Sequence, residues 1–166
     1  MRQLKTGEFF GDTDQILRLD GLTLTDTVYT HPYVDWHYHE HAYFTFILQG
    51  AVLEGNRREV FHCLPGSILY HHHQEPHYNV KPEGFTRGFH LELEQHWFRR
   101  FDVSSPEGSL HISNPGIKLI LYQLFQELKV NDSYSSLSIE SLMLLAFDGD
   151  NRKPEWMPRL KEILHE

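Results

Sequence analysis

Trp36-His37-Tyr38-His39-Glu40-His41 sets an imidazole at every second position, and His71-His72-His73-Gln74-Glu75-Pro76-His77 adds four more histidines later in the chain. Residues two apart on a strand share a face, with Cα atoms roughly 6.5–7 Å apart, so His37 and His39 can grip one cation from a single strand. Zinc in catalytic-type sites takes three protein ligands and keeps a further position open. His77, which opens a strand-like segment just after Pro76, is the expected third ligand. The expected ion is one divalent transition metal, zinc or nickel, which imidazole suits. The spacing leaves a blander reading open, since strand histidines can also be exposed or bonded to backbone. Neighbours on a strand alternate sides, so His71, His72 and His73 cannot all face one way. That run is expected at an edge or in a surface loop. In an unbroken strand His37, His39 and His41 would share their face with Tyr43, Thr45 and Ile47, and Trp36 on the other face reads as a core or rim aromatic.

Other chemistry is sparse. In Phe85-Thr86-Arg87-Gly88-Phe89-His90-Leu91-Glu92-Leu93, alternation puts Arg87, Phe89, Leu91 and Leu93 on one face and Thr86, Gly88, His90 and Glu92 on the other. An arginine on an otherwise apolar face needs a partner, because an unpaired buried charge is costly. A ligand carboxylate, a sugar hydroxyl or a protein acid would serve. No serine-nucleophile motif, phosphate-binding glycine loop or Cys-x-x-Cys pair occurs. No acid–base pair stands beside the histidines in the sequence.

The elements that must position these residues are short strands. From about residue 15 to 93 the pattern has period two. The strand-like stretches are ILRLD, LTLTDTVYT, WHYHEHAYFTFIL, AVLE, REVFHCL, SILYH, HYNV and FTRGFHLELE. Turn residues separate them: Asp20-Gly21, Gly50, Gly55-Asn56, Pro65-Gly66, Pro76 and Pro82-Glu83-Gly84. AVLEGNRREVF predicts a hairpin turning at Gly55-Asn56. Many short strands without intervening helices imply a sandwich or barrel. EQHWFRRF predicts one or two helical turns, and SSPEGSLHISN a loop. Asn114-Pro115 is a helix start, and behind it Ile117, Ile120, Leu121, Leu124, Phe125 and Leu128 form one apolar stripe. A second helix is predicted from about Leu137 to Phe147. DGDNRKPE reads as a polar linker, and EWMPRLKEILHE as the start of a further helix within which the chain stops.

The chain has 166 residues and a formal charge of −8 with histidines neutral. That length fits one domain or a domain with an appendage. A negative chain with no basic stripe is a poor candidate for contacting nucleic acid itself, since phosphate binding rests on lysine and arginine. One cysteine, Cys63, excludes an internal disulfide framework. No stretch reaches the roughly 20 apolar residues of a membrane helix, and MRQLKTGEFFGDTD lacks the apolar core of a signal peptide. A cytoplasmic location is expected.

Two resemblances follow. His37-Tyr38-His39, then Gly50, then Pro65-Gly66, then His77 with Asn79 close behind, resembles the cupin pattern. Tyr43 stands near the position where metal cupins carry a glutamate between the histidine pair and the glycine. FTFILQGAVLEGNRREVFHCLPGSILYHHHQEPHYNV is similar to the effector-binding domain of AraC-family transcription regulators, and EWMPRLKEILHE to the linker leading into that family's helix-turn-helix pair. This likeness spans about residues 8 to 166. It implies a mainly β fold, a cupin-like jelly-roll barrel followed by two or three C-terminal α-helices. The implied division is a barrel over residues 1–105, a helical appendage for packing and dimerisation over 106–148, and the start of a linker over 149–166. The resemblance further implies a small-molecule effector inside the barrel, a homodimer through the helices, and DNA contact only through a C-terminal domain absent from this chain. It makes Tyr43, Tyr78, Arg87 and Phe89 the expected effector contacts, with an internal salt bridge for Arg87 and core packing for Phe89 as their alternatives. Phe9-Phe10 would close over the barrel mouth. The other function class left open is a metal-dependent cupin enzyme, a dioxygenase or isomerase, using His37, His39 and His77.

Overall fold

The computed structural model describes residues 1–148. The strands are Arg2–Leu4 (β1), Gly11–Leu19 (β2), Leu22–Tyr29 (β3), Tyr33–His39 (β4), Ala42–Gln49 (β5), Val52–Asn56 (β6), Val60–Cys63 (β7), Ile68–His71 (β8), His77–Val80 (β9), Arg87–Leu93 (β10) and Leu110–Ile112 (β11). The helices are Gln95–Arg100 (α1), Pro115–Val130 (α2) and Ser135–Asp148 (α3). The strands build a five-stranded sheet, β1-β4-β9-β6-β7, and a six-stranded sheet, β11-β8-β5-β10-β3-β2. The fold is mainly β, a cupin-like two-sheet barrel followed by helices. The expected linker and the EWMPRLKEILHE stretch lie outside the described residues.

The long stretch WHYHEHAYFTFIL is not one strand. It bends at Glu40-His41, and its halves, β4 and β5, belong to different sheets. The Glu40 amide donates to the Leu4 carbonyl at 3.1 Å, and the Gln74 amide donates to the His39 carbonyl at 3.0 Å, so the end of β4 is tied to its own sheet before the chain crosses over. Gly50 ends β5 with φ of 73°. A Cβ there would sit 2.1 Å from the Phe85 carbonyl oxygen, so position 50 needs glycine for both conformation and space. The β6–β7 hairpin turns slightly later than the sequence predicts, at Asn56–Glu59. The Asn56 side chain accepts there from the amides of Arg58 (2.8 Å) and Glu59 (3.0 Å). Leu110–Ile112, expected as loop, adds a short antiparallel edge to β8.

Helix α2 starts as its sequence predicts. The Asn114 side chain accepts from the Gly116 amide at 2.8 Å, Pro115 takes the first helical position, and Asn131 closes the helix in the left-handed conformation. Ile120, Leu121, Leu124, Phe125 and Leu128 are buried. They meet Leu22, Leu24, Phe44, Phe46, Ile68, Tyr70, Phe89, Leu91 and Leu93 from one face of the six-stranded sheet, and Ile139 and Met143 from α3. The large apolar core therefore lies between this sheet and the helices. A small apolar cluster of Ile47, Val52, Cys63 and Leu69 fills part of the space between the two sheets. The rest of that space is lined by histidines, Tyr43, Thr45, Glu54 and Asn79 together with Phe9, Phe10 and Val34.

Candidate ligand and metal site

Strand alternation sorts the residues cleanly. On β5, Phe44 and Phe46 point to the helices while Tyr43 and Thr45 point inward, and on β8 Tyr70 points to the helices while His71 points inward. On β10 the apolar Phe89, Leu91 and Leu93 join the helix-side core, which leaves His90 and Glu92 for the interior. From the opposite sheet come His37 and His39 on β4, Glu54 on β6, and His77 and Asn79 on β9. A register shift between Val34 and His37 against β9 lets both line the cavity despite their odd separation. Phe9 and Phe10, between β1 and β2, complete the wall. The space left open between these residues is small, about 40 Å³.

Local bonds orient the rings. His37 Nδ1 lies 2.8 Å from the Asp35 carbonyl oxygen and His77 Nδ1 lies 3.0 Å from the Glu75 carbonyl oxygen. A carbonyl can only accept, so both Nδ1 atoms carry the proton and both neutral rings present a bare Nε2. Metal-ligating histidines are oriented in this way. The Tyr43 hydroxyl lies 2.9 Å from His77 Nε2 and donates to it, and the Tyr43 ring stacks on His71 with centroids 4.2 Å apart. Tyr29 Oη and His90 Nε2 are 2.6 Å apart. Phe9 stacks on His90 at 3.7 Å between centroids and lies 4.8 Å from His39.

Burial lowers the basicity of His37 and, more strongly, of His39; the neighbouring His77 and His37 lower His39 further. Burial likewise pushes His77 and His90 down to about 3. Burial alone would raise Glu54, but the adjacent His71 and His77 imidazoles outweigh it and hold the carboxyl at about 2. Glu92 goes the other way: burial pushes it up to about 8, although the Gly7 amide donates to it. At neutral pH burial thus keeps the His37, His39, His77 and His90 rings neutral and Glu92 protonated, while Glu54 is a carboxylate.

Two overlapping groups could hold a cation: His37, His39 and His77, and Glu54, His71 and His77. Within each, the donor atoms lie within 4.8 Å of one another. His39 Nδ1, His71 Nε2 and Glu54 Oε1 are buried without a hydrogen-bond partner among the described residues. Orphaned donors of this kind fit a divalent ion, since buried polar atoms are otherwise satisfied.

Of the expected site residues, His37, His39, His77 and Tyr43 are brought together. Arg87 and Phe89 are not. Arg87 Nε donates to Asp26 at 2.7 Å, a second bond joins the same carboxylate, and the guanidinium covers the Phe125 ring; Phe89 packs on Phe125 in the helix-side core. The expectation that these two line the cavity is corrected by the parity of β10, whose apolar face meets the helices. Tyr78 also faces away from the cavity, against Trp36 and over Gly55. Within the histidine run, His71 is buried in the interior, contrary to the expected edge or loop, while His72 and His73 stay half-buried outside it. Glu54 and His90 are the residues the sequence reading missed as site members. His90 carried a signal, because it lies on the polar face of β10; Glu54 shares a face with Val52 in a short strand, which gave a single glutamate none.

The comparison with protein families finds that residues 21–147 match the AraC-like ligand binding domain. The chain belongs to this AraC-like ligand-binding family. Among solved structures, the AraC-like domain is similar to a cupin-2 domain protein from Shewanella frigidimarina, with 11% identity over 52% of this chain and 84% of that one and a TM-score of 0.45. It is also similar to AerE from Microcystis aeruginosa, with 16% identity over 60% of this chain and 46% of that one and a TM-score of 0.48. The DMSP lyase DddQ from Ruegeria pomeroyi shows 19% identity over 46% of this chain and 40% of that one, with a TM-score of 0.43. The comparison with curated proteins gives no match for the AraC-like domain.

Proposed function

We propose that this domain is the ligand-sensing and dimerisation part of an AraC-type transcription regulator, and that a small-molecule effector binds between the two sheets. The observation that carries this reading is the interior itself. In a chain of an AraC-like ligand-binding family, the space between the sheets is walled by Tyr43, Asn79, Thr45 and histidines instead of being packed apolar. Ligand sites are concave, with a few convergent polar groups on aromatic and apolar walls. Phe9 and Phe10 lie across this cavity, so an effector that displaces or reorders them changes the N-terminal segment. Such a ligand acts only through different affinity for the two arrangements. Contact with DNA is assigned to a helix-turn-helix domain outside this chain, in keeping with the net charge of −8. Among the described residues no helix is long and apolar enough to cross a membrane.

Calorimetry on untagged protein against neutral pentoses, hexoses and small carboxylates tests the proposal, with limited proteolysis alongside. One class is expected to bind stoichiometrically and to change cleavage within residues 1–15. Tyr43→Ala should weaken binding about tenfold or more, while Arg87→Ala, on the far face, should leave it within about threefold, since each factor of ten is about 1.4 kcal/mol of contact. No saturable binding across the panel, or binding indifferent to Tyr43→Ala, overturns the reading. The metal-dependent enzyme remains the second reading, and one observation favours it: Glu54 puts an ionised carboxylate among the histidines, the acid that was missing beside them in the sequence. Catalytic turnover of any panel compound by metal-loaded protein would decide for it.

A further inference from the structure

Glu54 carried no expectation and His71 was expected at an edge or in a surface loop, yet the two meet inside the barrel. Their side chains are 5% and 4% exposed, and Glu54 Oε1 lies 3.0 Å from His71 Nε2 and 3.8 Å from His77 Nε2. At 3.0 Å a hydrogen bond would be ordinary, but the two atoms are not aligned for one, and neither has another partner among the described residues. A buried carboxylate oxygen and ring nitrogen this close are satisfied either by a proton on the imidazole, as an ion pair, or by a cation bound to both. Donor atoms bound to one ion at about 2.0–2.2 Å each can be no further apart than about twice that length. The two Glu54 spacings fall inside that limit, and all three donor atoms lie within 4.8 Å of one another.

His77 restricts the possibilities further. Its Nδ1 is committed to the Glu75 carbonyl, so Nε2, which accepts from Tyr43, is the one atom it can offer an ion. The His37–His39–His77 group and the Glu54–His71–His77 group therefore compete for one atom. Charge separates them. A dication among neutral imidazoles alone would be a buried, uncompensated charge, whereas the second group contains a carboxylate. The Tyr43 stacking contact also holds the His71 ring in place from behind.

We propose that Glu54, His71 and His77 bind one divalent transition-metal ion, with Glu54 as its anionic ligand. The carboxylate thus reaches the ion from β6, a strand removed from the Tyr43 position where the cupin resemblance would place it. The ion takes over the His77 Nε2 lone pair that accepts from Tyr43 in the metal-free chain. This assignment concerns which atoms hold a cation and stands apart from whether the domain senses an organic effector.

The test uses untagged, chelator-stripped protein titrated with Co²⁺, read by its ligand-field absorption and by competition with a chromogenic chelator. A single equivalent is expected to bind. Glu54→Gln and His71→Ala should each weaken it about tenfold or more, the scale on which altering a metal site's surroundings acts, while His39→Ala, outside the group, should weaken it less than either. Long-range ¹H–¹⁵N spectra of wild-type protein with Zn²⁺ give a second readout that needs no variant: the Nε2 resonances of His71 and His77 should shift and that of His39 should not. Absence of binding, wild-type affinity in both Glu54→Gln and His71→Ala, or Zn²⁺ shifts confined to His37, His39 and His77 would overturn the proposal.

Discussion

At the scale of single residues the interior is defined by groups that burial keeps from their usual charge. His90 is the simplest to isolate. Burial pushes it down to about 3; Glu54 and Asp26 pull it back while His71 lowers it further. A histidine in the unfolded chain titrates near about 6.5. Between these values the unfolded state takes up a proton that the folded state refuses, so the contribution of His90 is complete above about 6.5 and declines as pH falls toward 3. Its slope is at most about 1.4 kcal/mol per pH unit. Glu92, raised to about 8, has the opposite sign, since the folded state holds its proton longer and stability declines as pH rises from its unfolded range toward 8. Urea unfolding of metal-free protein between pH 7 and 4.5 should therefore show a shallower pH dependence in His90→Gln than in wild type, and parallel profiles would refute the assignment. The histidine pair was legible because His37 and His39 obey the two-residue period that places them on one face. Glu54 was not, because a single glutamate in a short strand has no period of its own and only the pairing of β6 with β9 brings it to His77.

At the scale of elements, the main lesson is which side of the six-stranded sheet is the inside. Alternation in Arg87-Gly88-Phe89-His90-Leu91-Glu92-Leu93 was readable, and both faces were assigned their members correctly. What the sequence does not state is that helices cover the apolar face and that the barrel interior takes the polar one. Arg87 consequently joins sheet to helix. Asp26 is fully buried, and both Arg87 and Lys129 of α2 bond its carboxylate. Burial alone would raise Asp26, but those two cations outweigh it and hold it below the ordinary carboxylate range. Removing one partner from a buried group costs roughly 1–3 kcal/mol, and Lys129 remains to limit the loss. Arg87→Ala is therefore expected to lower the unfolding free energy in urea by an amount in that range, with Lys129→Ala costing more in that background than alone, because it then removes the carboxylate's last cation. Strict additivity would contradict a shared site. The helices themselves were legible because Asn114-Pro115 and the Ile120–Leu128 stripe state both the start and the buried face. The break at Glu40-His41 was hidden, since apolar and aromatic residues continue on both sides of it.

At the scale of the whole molecule, the helices have one face committed and one free. Ile120, Leu121, Leu124, Phe125 and Leu128 are spent on the sheet, while Leu119 and Tyr122 on α2 and Leu137 and Leu145 on α3 are each more than half exposed among the described residues. Scattered exposed apolar side chains are ordinary, but pairs on adjacent helices make a surface that suits burial. The proposed homodimer would use it, because a two-fold contact presents the same patch from both partners and needs only one such surface per chain. Charge constrains the contact as well: two copies at −8 repel, so the association has to rest on apolar area and should tighten as salt screens the repulsion. Sedimentation of the chain is expected to show a dimer that strengthens with ionic strength. Leu119→Glu with Tyr122→Glu should give a monomer whose unfolding midpoint stays close to wild type, because neither side chain belongs to the buried core. A wild-type monomer at every salt concentration, or a dimer indifferent to the two glutamates, would remove α2 from the interface and leave the helices with packing against the sheet as their whole role.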